Sequence, residues 1–216
     1  MQSAKDYLSL TESAVRRLFD GIDSYTSVLK AITGVTFVTS EPYGPAQDAE
    51  YEAWKVANER KLAEARAAER EYLAESFALD TLCGAVLQVA EKAIEIYGQN
   101  EEIPKGLPQT IKPNLSKFCV GRLVRTVPIG LVIYAARNQH THFNDEALRE
   151  PSVSIFKLLA TKHGYGGSQE IVDPAFDLNN QGTLSFASNA TALIGWRSYD
   201  NYLSDMRILL SEQEYR

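Results

Sequence analysis

Apolar residues recur at helical spacing through most of this chain. Tyr7, Leu8, Leu10, Val15, Leu18, Phe19 and Ile22, then Tyr25, Val28, Leu29 and Ile32, predict an amphipathic helix over residues 4–32, with Gly21 and Gly34 as candidate breaks. Residues 34–45, rich in Thr, Ser, Gly and Pro, read as a loop or short extended piece. From Gln47 to Tyr97 there is no proline and one glycine, Gly84, and good helix formers dominate its first half. That pattern predicts a long helix, with a candidate break near Asp80 or Gly84. Its mixed-sign run from Lys55 to Arg70 reads as a solvated face.

Pro104, Gly106, Pro108 and Pro113 forbid continuous helix and mark a loop over 99–114. Residues 115–124 then read as helical. Thr126-Val127-Pro128 is a helix start, because the fixed φ and missing N–H of proline suit a first turn, and the helix is expected to run to His142. A strand over 130–136 is the alternative, since Leu131, Val132, Ile133 and Tyr134 allow it. Glu150 and Pro151 open another helix, ending in Lys162, His163 and Gly164. Residues 164–187 read as a loop with a small hairpin, and 188–210 as a closing core helix. The glycine run at 164–167 lacks the Lys-Ser/Thr of a phosphate loop.

The expected fold is therefore mainly all-α, a helical bundle with a long helix and a small irregular or hairpin segment near 164–187. One helical domain over 1–216 is expected, with N-terminal helices and the long helix in 1–98 and a core at about 115–210. Cys83 and Cys119 each sit in an apolar run and read as buried free thiols. The first twenty residues carry six charges and no continuous apolar core, and no stretch reaches the roughly 18 apolar residues of a spanning helix. A cytoplasmic protein without a membrane partner is expected.

The net charge of −6 hides an uneven distribution. Residues 103–144 contain no Asp or Glu but carry Lys105, Lys112, Lys117, Arg122, Arg125 and Arg137, whereas the remainder holds 16 basic against 28 acidic residues. Such a basic segment could meet a polyanion.

Chemistry concentrates where the apolar run 129–136 ends, in Arg137, Asn138, Gln139, His140, Thr141 and His142. His140 and His142 could share a metal only on a strand, because two residues apart on a helix they point about 200° from each other. Arg137 and His142 are five apart on a helix, about 140°, and the long arginine stem could still bring both to one phosphate. Asn138, at i−4 from His142, could orient the imidazole or bind phosphate. RNA carries its own nucleophile in the 2′-OH, so an acid–base imidazole and a permanent cation suffice for cleavage without metal. The plain alternative is a basic cap at a helix end.

An apolar helix ending in Arg137, Asn138, His142 and Phe143 resembles the signature of the HEPN superfamily, in which an Arg, four to six intervening residues and a His define an active site. The resemblance covers residues 115–163 best and 196–210 less well. It implies an α-helical bundle that dimerises so that the Arg and His of two subunits share one cleft, acting as a metal-independent RNA endonuclease; many relatives are toxins or antiphage nucleases. By that resemblance Arg137, His142 and Asn138 are catalytic, with His140 and Thr141 auxiliary. Lys117, Arg122 and Arg125 would hold RNA phosphates. RNA, a second copy of the chain and an antitoxin or other regulatory protein are the implied partners, with no cofactor or metal. The chain departs from members silenced by tyrosine adenylylation: Asn144 stands where they carry a tyrosine. A catalytically inactive module binding RNA, a nucleotide or a partner protein is the alternative.

Overall fold

The computed structural model describes residues 3–31, 35–40, 42–145, 147–163, 170–180 and 185–210. They form a mainly helical chain: α1 (Ala4–Ala31), α2 (Pro45–Ala57), α3 (Glu59–Tyr97), α4 (Ile129–Thr141), α5 (Ser152–Ala160), α6 (Ala187–Leu193) and α7 (Tyr199–Leu210). Two short antiparallel hairpins complete the described elements, β1 (Leu123–Val124) with β2 (Val127–Pro128) and β3 (Thr161–His163) with β4 (Glu170–Val172). No single helix among the described residues is long and apolar enough to cross a membrane.

The chain divides into two compact units, 1–22 with 78–216, and 23–77. One helical domain was expected, with N-terminal helices and the long helix in 1–98 and a core at about 115–210. The division instead falls within the residues of α1 and α3. In the smaller unit α2 has no buried residue. Its apolar contacts include a cluster of Phe37, Tyr51 and Trp54, with ring centroids 5.2–5.9 Å apart. The charged run of α3 is solvated, as its pattern predicts: the Arg60–Glu64 pair is mostly exposed.

The larger unit is built around α4. Ile129, Leu131, Val132, Ile133, Ala135 and Ala136 are all at 0–1% exposure, so the first two turns of this helix are apolar on nearly every side because they are covered on nearly every side. Its neighbours are α5, α6 and the 3-10 turn Pro113–Phe118. The same core takes Val86, Leu87, Ala90 and Ile94 of α3, Phe156 of α5, and Trp196 and Tyr202 near and on α7. The part of α1 up to Ile22 joins through Phe19, whose ring lies 5.9 Å from that of Tyr202. Burial of these large side chains, worth roughly 1.5–3 kcal/mol each, is the main source of this unit's stability. Cys83 and Cys119 are buried free thiols, as expected, and loss of solvent pushes the Cys83 thiol up to about 11.

Four boundaries differ from the sequence pattern. The helix expected over 115–124 is only the 3-10 turn. It cannot continue because Gly121 has φ +83, and a Cβ there would fall 2.4 Å from Ile129 Cγ2 and 2.5 Å from Leu209 Cδ2. Beyond it, Arg125 and Thr126 both take positive φ, as the tight two-residue loop between β1 and β2 demands. The helix expected to reach residue 163 ends at Ala160, where Thr161 turns extended and enters β3. The closing helix is split into α6 and α7 by Gly195 at φ +77. The long helix breaks at Asn58, not near Asp80 or Gly84, with Asn58 returning both its N–H and its side-chain amide to Trp54 O. Gly21 lies within α1 without breaking it. Gly34 and the glycine run at 164–167 lie outside the described residues.

Candidate active site

The polar hexad sits where the sequence places it, on the last turn of α4. Pro128 precedes the first turn, and His142 caps the end with its N–H on Asn138 O at 3.0 Å. Thr141 is exposed and returns its hydroxyl to Arg137 O at 3.0 Å. The chain then turns, Asp145 N donating to His142 O at 3.0 Å. That turn brings Asp145 Oδ2 to 3.0 Å from His142 Nδ1, both side chains about half exposed.

Helical rotation distributes the remaining residues over three directions. Tyr134, Asn138 and His142 follow one another at i, i+4 and i+8 and line a cleft of about 280 Å³. Asp145, Arg149 and Glu150 complete its polar wall. Arg137 faces α3: its Nε donates to Gln88 Oε1 at 2.7 Å and lies 4.0 Å from Glu91 Oε2, while its Nη1 donates to Asn138 Oδ1 at 3.0 Å. Arg137 is thereby tied to a residue of the cleft. Burial raises the Glu91 carboxyl above its ordinary value, with Arg137 pulling the other way.

Gln139 and His140 face the segment leading into α6. Gln139 is buried and accepts Phe186 N–H at 2.9 Å. His140 Nδ1 lies 2.9 Å from Ser185 Oγ, and its ring fills the space over Gly84, where a Cβ would fall 2.2 Å from Cδ2 and Nε2. Burial lowers the His140 pKa, and the nearby Asp80 carboxylate opposes that shift. Asp80 is itself raised by burial and held by Ser188 N–H at 2.9 Å. His140 and His142 thus turn to different partners on a helix, and no cluster of three metal-ligating side chains occurs among the described residues.

The three cations expected to hold RNA phosphates are engaged within the chain. Lys117 Nζ donates to Glu95 O at 2.8 Å. Arg122 forms a fork on Asp205, at 3.3 and 3.1 Å, and donates to Ile194 O, while Trp196 Nε1 shares the same carboxylate at 2.8 Å. Arg125 pairs with Asp173 at 2.7 Å, donates to Leu159 O and lies over the Phe176 ring at 5.1 Å. These bonds fasten the β1–β2 hairpin to the helices around it.

Gln88, Glu91, Asp145 and Arg149 escaped the sequence reading. Glu91 had a signal: it falls at core spacing between Leu87 and Ile94, where an unpaired carboxylate is costly. Asp145 had a weaker one, three residues beyond His142.

Comparison with known proteins adds no kinship: no protein-family model, no characterised protein and no solved structure matches this chain.

Proposed function

We propose that the chain is a metal-independent RNA endonuclease of toxin or antiphage-defence type, active as a homodimer. The observation that carries this reading is the imidazole of His142. Its Nδ1 is oriented by Asp145, and Nε2 makes no hydrogen bond among the described residues, in a cleft that Asn138 links directly to Arg137. The 2′-oxygen attacks the adjacent phosphorus, its proton passes to a base, the P–O5′ bond breaks, and the departing 5′-oxygen takes a proton from an acid. The products are a 2′,3′-cyclic phosphate and a 5′-hydroxyl. Arg137 stabilises the charge that builds on the phosphorane, and Asn138 Oδ1 holds its guanidinium in place.

The geometry of that reaction supports a dimer. In an in-line displacement the attacking 2′-oxygen and the departing 5′-oxygen lie on opposite sides of the phosphorus, so the base and the acid must stand on opposite sides, where one fixed imidazole does not reach both. His140 is a poor second group, since its Nδ1 is engaged by Ser185 and its ring is packed over Gly84. Two copies of His142 would supply both roles.

The test is cleavage of a mixed, end-labelled RNA pool in excess EDTA by wild type, His142→Ala and Arg137→Ala. Wild type alone is expected to cleave and to leave cyclic-phosphate ends, and light scattering is expected to give twice the 24.0 kDa chain mass. One observation favours a second reading, a non-catalytic module that binds RNA, a nucleotide or a partner protein through the same cleft: Arg137 is already compensated by Gln88 and Glu91. Binding without turnover in all three proteins is its signature.

A further inference from the structure

Among the described residues the cleft beside His142 contains two carboxylates and one arginine, and their hydrogen bonds decide which donors and acceptors are left for a ligand. Asp145 is committed to His142 Nδ1. Glu150 is committed to the first turn of α5, where its Oε2 accepts from Ser154 N at 3.1 Å and Ser154 Oγ at 2.7 Å. Arg149 forms no ion pair or hydrogen bond through its side chain among the described residues. Asn138 gives its Oδ1 to Arg137, which leaves its amide N–H groups as donors. Among the described residues the open groups of the cleft are therefore mainly donors, the Arg149 guanidinium, the Asn138 amide and the Tyr134 hydroxyl, with His142 Nε2 an acceptor while the ring is neutral and a donor once it is protonated.

We infer that this cleft is a one-nucleotide subsite in which Arg149 holds the phosphate of single-stranded RNA flanking the bond cut at His142, taking the role that the resemblance gave to Lys117, Arg122 and Arg125. This rests on the reading of the α4 end as an RNA site. The volume of about 280 Å³ is just below the usual range of ligand sites, about 300 to 1,000 Å³, and suits at most one nucleotide rather than a duplex. A planar guanidinium offers a phosphate two parallel N–H donors, and among the described residues none takes those of Arg149.

The experiment measures binding and cleavage separately. Binding is followed by fluorescence anisotropy of a ten-nucleotide, fully 2′-O-methylated single-stranded RNA, which cannot be cut; cleavage uses the unmodified strand in EDTA. Wild type, Arg149→Ala, Arg149→Lys, His142→Ala and the surface control Lys157→Ala are compared across a salt series. Arg149→Ala is expected to weaken binding about tenfold, the loss of one charge-assisted contact. It is also expected to reduce the slope of log affinity against log salt by about 0.7, one phosphate on a single strand. Arg149→Lys should recover the salt slope but only part of the affinity, and His142→Ala should bind as wild type does without cutting. Cleavage by wild type with Arg149→Ala unimpaired in binding overturns the subsite and leaves the nuclease standing. Arg149-dependent binding without cleavage in any protein leaves the subsite and removes the nuclease. Absence of binding by wild type overturns both.

Discussion

Replacing Gly84 by alanine tests how closely α3 is fitted against the end of α4. In the interior of a helix the substitution alone should stabilise by about 1 kcal/mol, because glycine has more backbone freedom to lose. Here the new Cβ would lie 2.2 Å from His140 Cδ2 and Nε2 and 2.7 Å from Cγ. The ring must move, and it cannot do so freely because Nδ1 is engaged by Ser185 Oγ at 2.9 Å. Overpacking costs roughly 1–3 kcal/mol and loss of a hydrogen bond roughly 0.5–1.5 kcal/mol. Gly84→Ala is therefore expected to destabilise by about 1–3 kcal/mol net. In a His140→Ala background the obstacle is gone, and the same substitution should stabilise by about 0.5–1 kcal/mol. The assay is guanidinium unfolding of the four proteins of the cycle, read from Trp196 fluorescence with Trp54→Phe in every protein, so that the larger unit alone reports. The quantity sought is a reversal of sign between the two backgrounds. An equal destabilisation in both would refute the argument, showing that Gly84 is required for some reason other than the His140 ring.

Three further predictions follow from the same contacts. Asp145→Ala should lower kcat for RNA cleavage about tenfold while leaving RNA affinity unchanged, because it removes the group that orients His142. The pair is half exposed, so stability should change by less than about 1 kcal/mol, and wild-type turnover would remove Asp145 from the mechanism. Arg122→Ala should reduce stability by about 1–2 kcal/mol, because Ile194 O and the Asp205 carboxylate lose a donor, while the salt slope of RNA binding stays unchanged; the reverse outcome would return Arg122 to the RNA surface. His140 has a folded-state pKa below its ordinary 6.5, so the fold favours the neutral ring, and its contribution is present above pH 6.5 and lost as pH falls through that value. Asp80, raised by burial, acts in the opposite sense at lower pH. Unfolding free energy measured from pH 7.5 to 5.5 should decline for wild type and decline less for His140→Ala; identical slopes would contradict the assignment.

The end of α4 was legible because two independent signals meet there: an apolar run opened by Pro128, and a polar hexad that closes it. Where apolar content alone was the guide, the sequence misled. Leu115, Phe118 and Cys119 look like a helix face, yet they are buried from a 3-10 turn, because the next residues must turn at Gly121 and again at Arg125 and Thr126. Nothing in the residue types Arg and Thr announces a positive φ. That conformation is held by the tertiary bonds of Arg125 to Asp173 and Leu159 O. The break at Asn58 was hidden for a similar reason, since its side chain caps Trp54 O without any proline or glycine to mark it.

The charge pattern carries a further lesson about reading partners from sequence. The acid-free segment 103–144 suggested a surface kept basic for a polyanion, but charge density along a chain does not record what each cation touches. Arg122 and Arg125 meet Asp205 and Asp173, acids that lie 83 and 48 positions further on, and the backbone carbonyls of Ile194 and Leu159 as well. The acids missing from the segment have thus been supplied to it by the fold. Arg149 presents the converse case. It stands next to Glu150 and looks compensated in sequence, whereas Glu150 is turned onto Ser154, and Arg149 is left facing the cleft with His142. A cation is available to a ligand when its neighbours' hydrogen bonds are already taken, and that depends on side-chain direction, which neither net charge nor local composition contains.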